Sequence, residues 1–192
     1  MTFESAILAG GKNSRYGGKN KAFLQVEGVP IIDRNIEVLS QIFSQISIIT
    51  NHPQQFSEYI YYPMYSDYYH EIGPLAGIHS ALKNTKSDGV FVSSCDMPFL
   101  NKNLIERLIN KVVETGSDAL IPRVNGDIEP LFAFYHKRII SKLEAHIIDG
   151  KSRSIRSFLK KINTEYMDLS DSATVRKSFT NINRPEDLQQ IS

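Results

Sequence analysis

Ile7-Leu8-Ala9-Gly10-Gly11-Lys12-Asn13-Ser14-Arg15-Tyr16-Gly17-Gly18-Lys19-Asn20-Lys21 joins the end of an apolar run to a segment holding four glycines and four basic residues. The run at 5–8 is short, uncharged and stopped by glycine, which reads as a strand buried on both faces. No acidic residue occurs between Ser5 and Val26. Glycines let a backbone approach a ligand closely and present successive N–H groups to phosphate oxygens, while Lys and Arg neutralise the charge those oxygens bring. A strand feeding such a loop is expected to cradle a polyphosphate, with a solvated glycine–lysine turn as the other reading. Two common phosphate-binding patterns are excluded. GxxxxGK[ST] needs a glycine five places after Gly10 or Gly11, where Arg15 and Tyr16 stand, and no GxGxxG occurs.

Further apolar runs at 46–50, 59–62 and 89–93 read as additional strands. Helix patterns lie between them. Over 101–114, Leu104, Ile105, Leu108, Ile109 and Val112 share one face while Glu106, Arg107, Asn110 and Lys111 take the other, and Asn101 is placed to cap the start. A second helix is expected after Pro30, with Ile32, Ile36, Leu39 and Phe43 inward, and a third near Pro74. Alternating strands and helices predict an α/β fold, a mostly parallel sheet with helices on both faces. The second half is less regular, with apolar runs at 119–122, 131–135 and 166–169 and helical stretches at 138–147 and 155–162, and there the sheet is expected to turn mixed. Asn183 with Glu186 has the spacing of a reciprocal helix cap. With no repeat, low-complexity tract or linker, 1–192 is expected to form one domain.

The 192 residues are 41% hydrophobic and 22% charged, with 22 Lys and Arg against 21 Asp and Glu. A formal charge of +1 supplies no long-range field for a polyanion, so neither nucleic acid nor an acidic membrane is an expected partner. One cysteine, Cys95, excludes an internal disulfide framework and suits a reducing compartment. Met1-Thr2-Phe3-Glu4 has no basic, apolar leader pattern, and no run approaches a membrane span, so cytoplasm is the expected address.

Val90-Phe91-Val92-Ser93-Ser94-Cys95-Asp96-Met97-Pro98 sets a carboxylate just beyond a buried strand, where open α/β sheets bind ligands. Such a carboxylate can hold Mg²⁺, which needs one or two protein oxygens and draws its other ligands from phosphates and water. Asp96 is therefore the metal candidate, and Asp67 falls at the end of another strand; a turn-forming or capping role is the alternative for each. Gly73-Pro74-Leu75-Ala76-Gly77 opens a helix with small residues that either permit close approach of a ligand or simply punctuate the helix start. Lys151, Arg153, Arg156, Lys160 and Lys161 are either a second phosphate grip, with 153, 156 and 160 on one helical face, or a solvated basic face. The five histidines show no metal-ligand spacing, and Cys95 reads as a small apolar filler.

With these residues in hand, the chain resembles the molybdenum cofactor guanylyltransferases, the MobA-type members of the nucleotidyltransferase group, over nearly its whole length. Their opening LAGG-x-S-x-R-[MFY]-G with a following lysine is met by Leu8 to Gly11, Ser14, Arg15, Gly17 and Lys21. GPLAG is met by Gly73 to Gly77, D-x-P by Asp96 and Pro98, and N-x-N-x-P-E-[DE]-L by Asn181, Asn183, Pro185, Glu186, Asp187 and Leu188. The resemblance implies a Rossmann-like three-layer nucleotidyltransferase fold, GTP and molybdopterin as substrates, Mg²⁺ as cofactor, and transient contact with cofactor-delivery proteins or molybdoenzymes. The N-terminal half would bind GTP and the C-terminal half molybdopterin. Leu8, Ala9, Gly10, Gly11, Lys21, Asn51, Asp67 and Asp96 would contact GTP, with Arg15, Lys21 and Asp96 catalytic and Asp96 on the metal. Glu129, Pro130, Arg156, Asn181 and Asn183 would line the molybdopterin side. Arg184 and Tyr16 depart from the commoner Thr and Met.

A phosphate nucleophile attacking the α-phosphorus of GTP is already ionised, so neutralisation and positioning are the tasks and no general base is needed. Two alternatives remain open at this point: cytidylyl or another nucleotidyl transfer to molybdopterin or a sugar phosphate, and a non-catalytic carrier of GTP or molybdopterin. Relatives using CTP tend to open LAAG, so Gly10-Gly11 leans towards guanine.

Overall fold

The computed structural model describes residues 1–10, 20–182 and 187. Strand β1 (Phe3–Leu8) lies mid-sheet, parallel to β4 (Ile46–Ile49) on one side and to β6 (Gly89–Ser94) on the other. Beyond β4 the short β5 (Met64–Tyr65) continues in parallel. Beyond β6 come β9 (Phe132–His136), β7 (Ala119–Val124) and β10 (Thr164–Asp168), giving the order β10-β7-β9-β6-β1-β4-β5. β9 is antiparallel to both neighbours, so the sheet is mixed in its second half as expected. β8 (Asp127–Ile128) adds a short hairpin to β7, and β2 (Gln25–Val26) pairs with β3 (Val29–Pro30) outside the main sheet.

Alternate side chains of the central strands feed two cores, which is why apolar residues fill both faces of these strands rather than one. Ile7, Ile48, Phe91, Leu120 and Phe134 pack beneath α1 (Ile31–Ser40) and α3 (Lys102–Thr115). Ala6, Leu8, Val90, Val92 and Tyr135 pack beneath α2 (Pro74–Asn84), α4 (Ile140–Asp149) and α5 (Ile155–Leu159). The result is the three-layer architecture the alternation called for, with α6 (Ala173–Ser178) adding Val175 beside the first core. Asn101 caps α3 by accepting from the Leu104 amide at 3.0 Å, and Gly116 ends that helix in the left-handed region at φ 58°. Gly89 has no alternative: a Cβ there would stand 2.5 Å from the Tyr135 carbonyl oxygen of the antiparallel neighbour.

Two expectations are corrected. The run 59–62 is not a strand: the chain forms a 3₁₀ helix over Pro53–Tyr59 and turns, and the strand is the dipeptide Met64–Tyr65. Tyr59 and Tyr62 pack on the core while Ile60 and Tyr61 are 71% and 89% exposed, a spacing of three that belongs to a helical turn. The helix expected through 162 ends at Leu159, with Ile162 buried just beyond it. Among the described residues, no helix is long and apolar enough to cross a membrane.

Candidate active site

Register levels the carboxyl ends of three strands. Leu8 pairs with Ile49 on one side and with Ser94 on the other, and the chain passes from β1 to β4 in one direction but places β6 in the other. This divergence opens a crevice beyond the strand ends, the general ligand position in open α/β sheets. The cleft here measures ≈ 660 Å³ and its walls include Leu8, Gly10, Asn51, Asp67, Gly77 and Arg153.

Asn20 is the first described residue after the glycine-rich segment, and it meets the end of β1. Its buried side chain donates to the Ala9 carbonyl at 2.8 Å and accepts from the Ala22 amide at 3.0 Å, so residues 9 and 20 are held side by side. Gly11 and Arg15, both expected in the phosphate loop, lie outside the described residues. The next residue, Lys21, reaches Oδ2 of Asp96 at 3.3 Å, while the Ser94 hydroxyl donates to Oδ1 at 2.5 Å. Both carboxylate oxygens are thus oriented at the end of β6, and the side chains of Lys21 and Asp96 remain 27% and 18% exposed.

Asp96 offers hard oxygen to a cation, and among the described residues no group of three metal-ligating side chains exists. That donor set fits Mg²⁺, which takes its remaining ligands from phosphate and water, better than a metal requiring a protein cage. Cys95 is buried, and burial followed by the neighbouring Asp96 charge pushes its thiol up to about 12, so it is the expected filler rather than a nucleophile.

In the wall of the cleft, Asn51 and Asp67 bond reciprocally: the Asn51 amide donates to Oδ2 of Asp67 at 2.8 Å, and the Asp67 backbone amide donates to the Asn51 side-chain oxygen at 2.9 Å. Burial raises the Asp67 carboxyl above its ordinary range, against the Asn51 hydrogen bond and the nearby His70 and His79 side chains, which lower it. A Cβ on Gly10 would lie 3.8 Å from Oδ2 of Asp67, so Gly10 stands directly beside that carboxylate. The start of α2 completes the wall through Gly73, Pro74 and Gly77.

The second half reaches the same strand end. The Ser94 amide donates to the Leu131 carbonyl at 3.0 Å, which sets Glu129 and Pro130 next to it in the chain. Glu129 is half-buried, and burial and then Asp127 raise its carboxyl, with Arg156 opposing. The Pro130 carbonyl accepts from the buried Tyr135 hydroxyl at 2.7 Å. Arg156 is exposed, 4.0 Å from Asp127. Asn181 is exposed, and the following Ile182 donates its amide to the Asp96 carbonyl at 2.8 Å, which brings this segment to the carboxylate; Asn183 lies outside the described residues.

The basic run does not share a helical face, because α5 begins only at Ile155. Arg153 instead faces the cleft and donates to the Glu71 carbonyl at 2.9 Å, whereas Lys151 and Lys161 approach Asp149. Sequence reasoning gave no role to Asn20, although an Asn two residues before a buried alanine at the end of a glycine loop is a local turn-closing signal. It also passed over His52, His70 and Glu71, which line the cleft but carry no motif.

The profile of the MobA-like NTP transferase domain matches residues 5–165. The chain is 39% identical over 187 residues to a molybdenum cofactor guanylyltransferase of Vibrio atlanticus (strain LGP32), covering 96% of this chain and 93% of the relative. It is 38% identical over 187 residues to the Vibrio parahaemolyticus protein of the same name, covering 96% and 92%. Among solved structures, the molybdopterin-guanine dinucleotide biosynthesis protein A of Archaeoglobus fulgidus superposes with a TM-score of 0.80 at 29% identity, covering 99% of this chain and 96% of that one.

Proposed function

The chain belongs to the MobA-like NTP transferase family and is a nucleotidyltransferase, and from that premise we propose that it transfers GMP from GTP to molybdopterin. An oxygen of the molybdopterin phosphate forms a bond to the α-phosphorus, the bond from that phosphorus to the β-phosphate bridging oxygen breaks, and pyrophosphate leaves with the electron pair. The observation that carries this reading is the meeting of Lys21 and Asp96, 75 positions apart in sequence, at the end of β6 beside the foot of the glycine-rich loop. A cation and a carboxylate so placed suit a triphosphate better than a neutral ligand.

In this reading Lys21 neutralises the triphosphate, and backbone groups from Ala9 and Gly10 approach it closely because Gly10 has no side chain to hold it off. Asp96 holds Mg²⁺, which when bound supplies charge neutralisation at the α-phosphate and the departing pyrophosphate. Asp67, steadied by Asn51, accepts from the N1–H and 2-amino group of guanine, a donor edge that neither adenine nor cytosine presents in that form. Glu129, Pro130, Arg156 and Asn181 face the acceptor side. Preorganised charge of this kind is the main source of rate in phosphoryl transfer, and the reaction is assigned to the cytoplasm.

The test is pyrophosphate release by the purified protein with Mg²⁺ and molybdopterin, given GTP, CTP, ATP or UTP separately. GTP-selective release is expected, abolished in Asp96→Ala and lowered on the order of 10²–10³-fold in Lys21→Ala, the usual cost of removing one preorganised charge-stabilising group. Preference for CTP overturns the base assignment while keeping the enzyme class. GTP binding without release, using intact molybdopterin, favours the carrier alternative.

A further inference from the structure

His79 sits in the middle of α2 with 1% of its surface exposed, and the proposed reaction makes no use of it. Its Nε2 lies 3.0 Å from Oε1 of Glu144 on α4, and the same oxygen takes the Lys83 ammonium at 3.2 Å. A carboxylate only accepts, so Nε2 carries a proton, and Nδ1 is buried without a hydrogen-bond partner. The imidazole therefore has one fixed orientation, set from α4.

What rests on that imidazole is the segment 66–73, which carries Asp67. The rings of Tyr68 and Tyr69 meet it edge to face, with centroids 5.5 and 4.9 Å away. Next along α2, the Ser80 hydroxyl donates to the Ser66 carbonyl at 2.8 Å. Two successive residues of α2 thus hold the chain on either side of Asp67. The segment needs such support: Tyr68 is 55% exposed, and Glu71 and Gly73 take left-handed backbone angles of φ 60° and 74°.

We infer that His79, oriented by Glu144, is a positioning residue for the nucleobase: through Tyr68 and Tyr69 it sets where Asp67 stands and so how strictly the cleft separates guanine from a purine lacking the 2-amino group. The inference rests on the proposed guanylyl transfer. A carboxylate that reads two donors must be held to a fraction of an ångström, so loosening its support costs discrimination before it costs turnover.

The experiment compares equilibrium binding of GTP and ITP, and steady-state turnover, in the whole protein and in His79→Leu, His79→Gln, Glu144→Leu and Lys83→Met. In His79→Leu, GTP binding is expected to weaken about tenfold with ITP binding nearly unchanged and kcat at saturating GTP retained. Glu144→Leu moves the same way by less, His79→Gln keeps a donor for Glu144 and restores most of the ratio, and Lys83→Met leaves it unchanged. A lowered melting temperature with an unaltered GTP-to-ITP ratio overturns the inference and leaves a packing role. If His79→Leu does not fold, Glu144→Leu, altered at a side chain 29% exposed, gives the same readout. Wild-type protein that binds GTP and ITP alike overturns the reading of the 2-amino group by Asp67 and this inference with it, preference for CTP overturns the guanylyl reading on which both rest, and wild-type selectivity that persists in the variants overturns this inference alone.

Discussion

The side-chain amide of Asn20 spans 2.8 Å to the carbonyl oxygen of Ala9, so the residue that follows the glycine-rich segment is tied to the residue that precedes it. The same side chain accepts from the Ala22 amide, and at 3% exposure it does both away from water. Ala9 and Asn20 are therefore fixed against each other by the protein itself, one at the end of β1 and the other directly before Lys21. Geometry fixed before a charged ligand arrives does not have to be ordered by it, which is how preorganisation raises affinity and rate.

Asn20→Ala is expected to cost about 1–3 kcal/mol of stability, the usual penalty for leaving a buried carbonyl and a buried amide unpaired. It should also lower kcat/KM for GTP, because Lys21 loses its anchor. Asn20→Asp keeps an acceptor for Ala22 but presents no donor to Ala9, so it should do no better. Urea unfolding and pyrophosphate release measure the two effects, and wild-type stability in Asn20→Ala contradicts the clamp.

Gly77→Ala separates packing from function. A Cβ there would stand 3.1 Å from both methyl groups of Leu8, which is 7% exposed and walls the cleft. Alanine favours a helix over glycine by about 1 kcal/mol, whereas crowding a packed side chain costs about 1–3 kcal/mol; here only the methyl ends of one side chain must give way, so the cost falls at the low end and the two nearly cancel. Leu8 must nevertheless shift at the strand end, and the expected result is a higher KM for GTP with a melting temperature close to wild type. An unchanged KM shows that Leu8 moves away from the ligand.

The strands that build the cleft were legible because β1, β4 and β6 are covered on both faces and hence largely apolar, with Glu4, Ser5, Ser47, Ser93 and Ser94 as their polar members, and the Asn101 cap was legible because its partner is three residues away. The 59–62 run misled because its tyrosines and isoleucine suit a strand by composition, while only Tyr59 and Tyr62 reach the core. Asp96 and Lys21 could be nominated separately, but their contact depends on the parallel pairing of β1 with β6. Arg153 differs again: the basic run suggested a helical face, and the late start of α5 sends this residue to the Glu71 carbonyl instead. His79 and Glu144, 65 positions apart, carry no local signal at all.

His146 gives a pH test of the packing between α4 and α5. Its imidazole is 3% exposed, 5.4 Å from the Phe158 ring, and neither ring nitrogen has a hydrogen-bond partner. Burial depresses its pKa, the Lys161 charge adds to this, and Asp149 opposes it. In the unfolded chain the same group titrates near about 6.5. Below that pH the unfolded state binds a proton that the folded state refuses, so stability falls on acidification, by at most about 1.4 kcal/mol per pH unit for one proton. His136 is depressed as well, mainly by burial, but it is common to wild type and His146→Leu and cancels in their difference. Denaturant midpoints measured from pH 7.5 down to 5.5 (a window of about one unit on either side of 6.5) should therefore fall more steeply in wild type than in His146→Leu. The variant should match or exceed wild type at the upper end, where leucine fills the apolar site without unpaired nitrogens; parallel curves mean that His146 finds water or a partner when protonated.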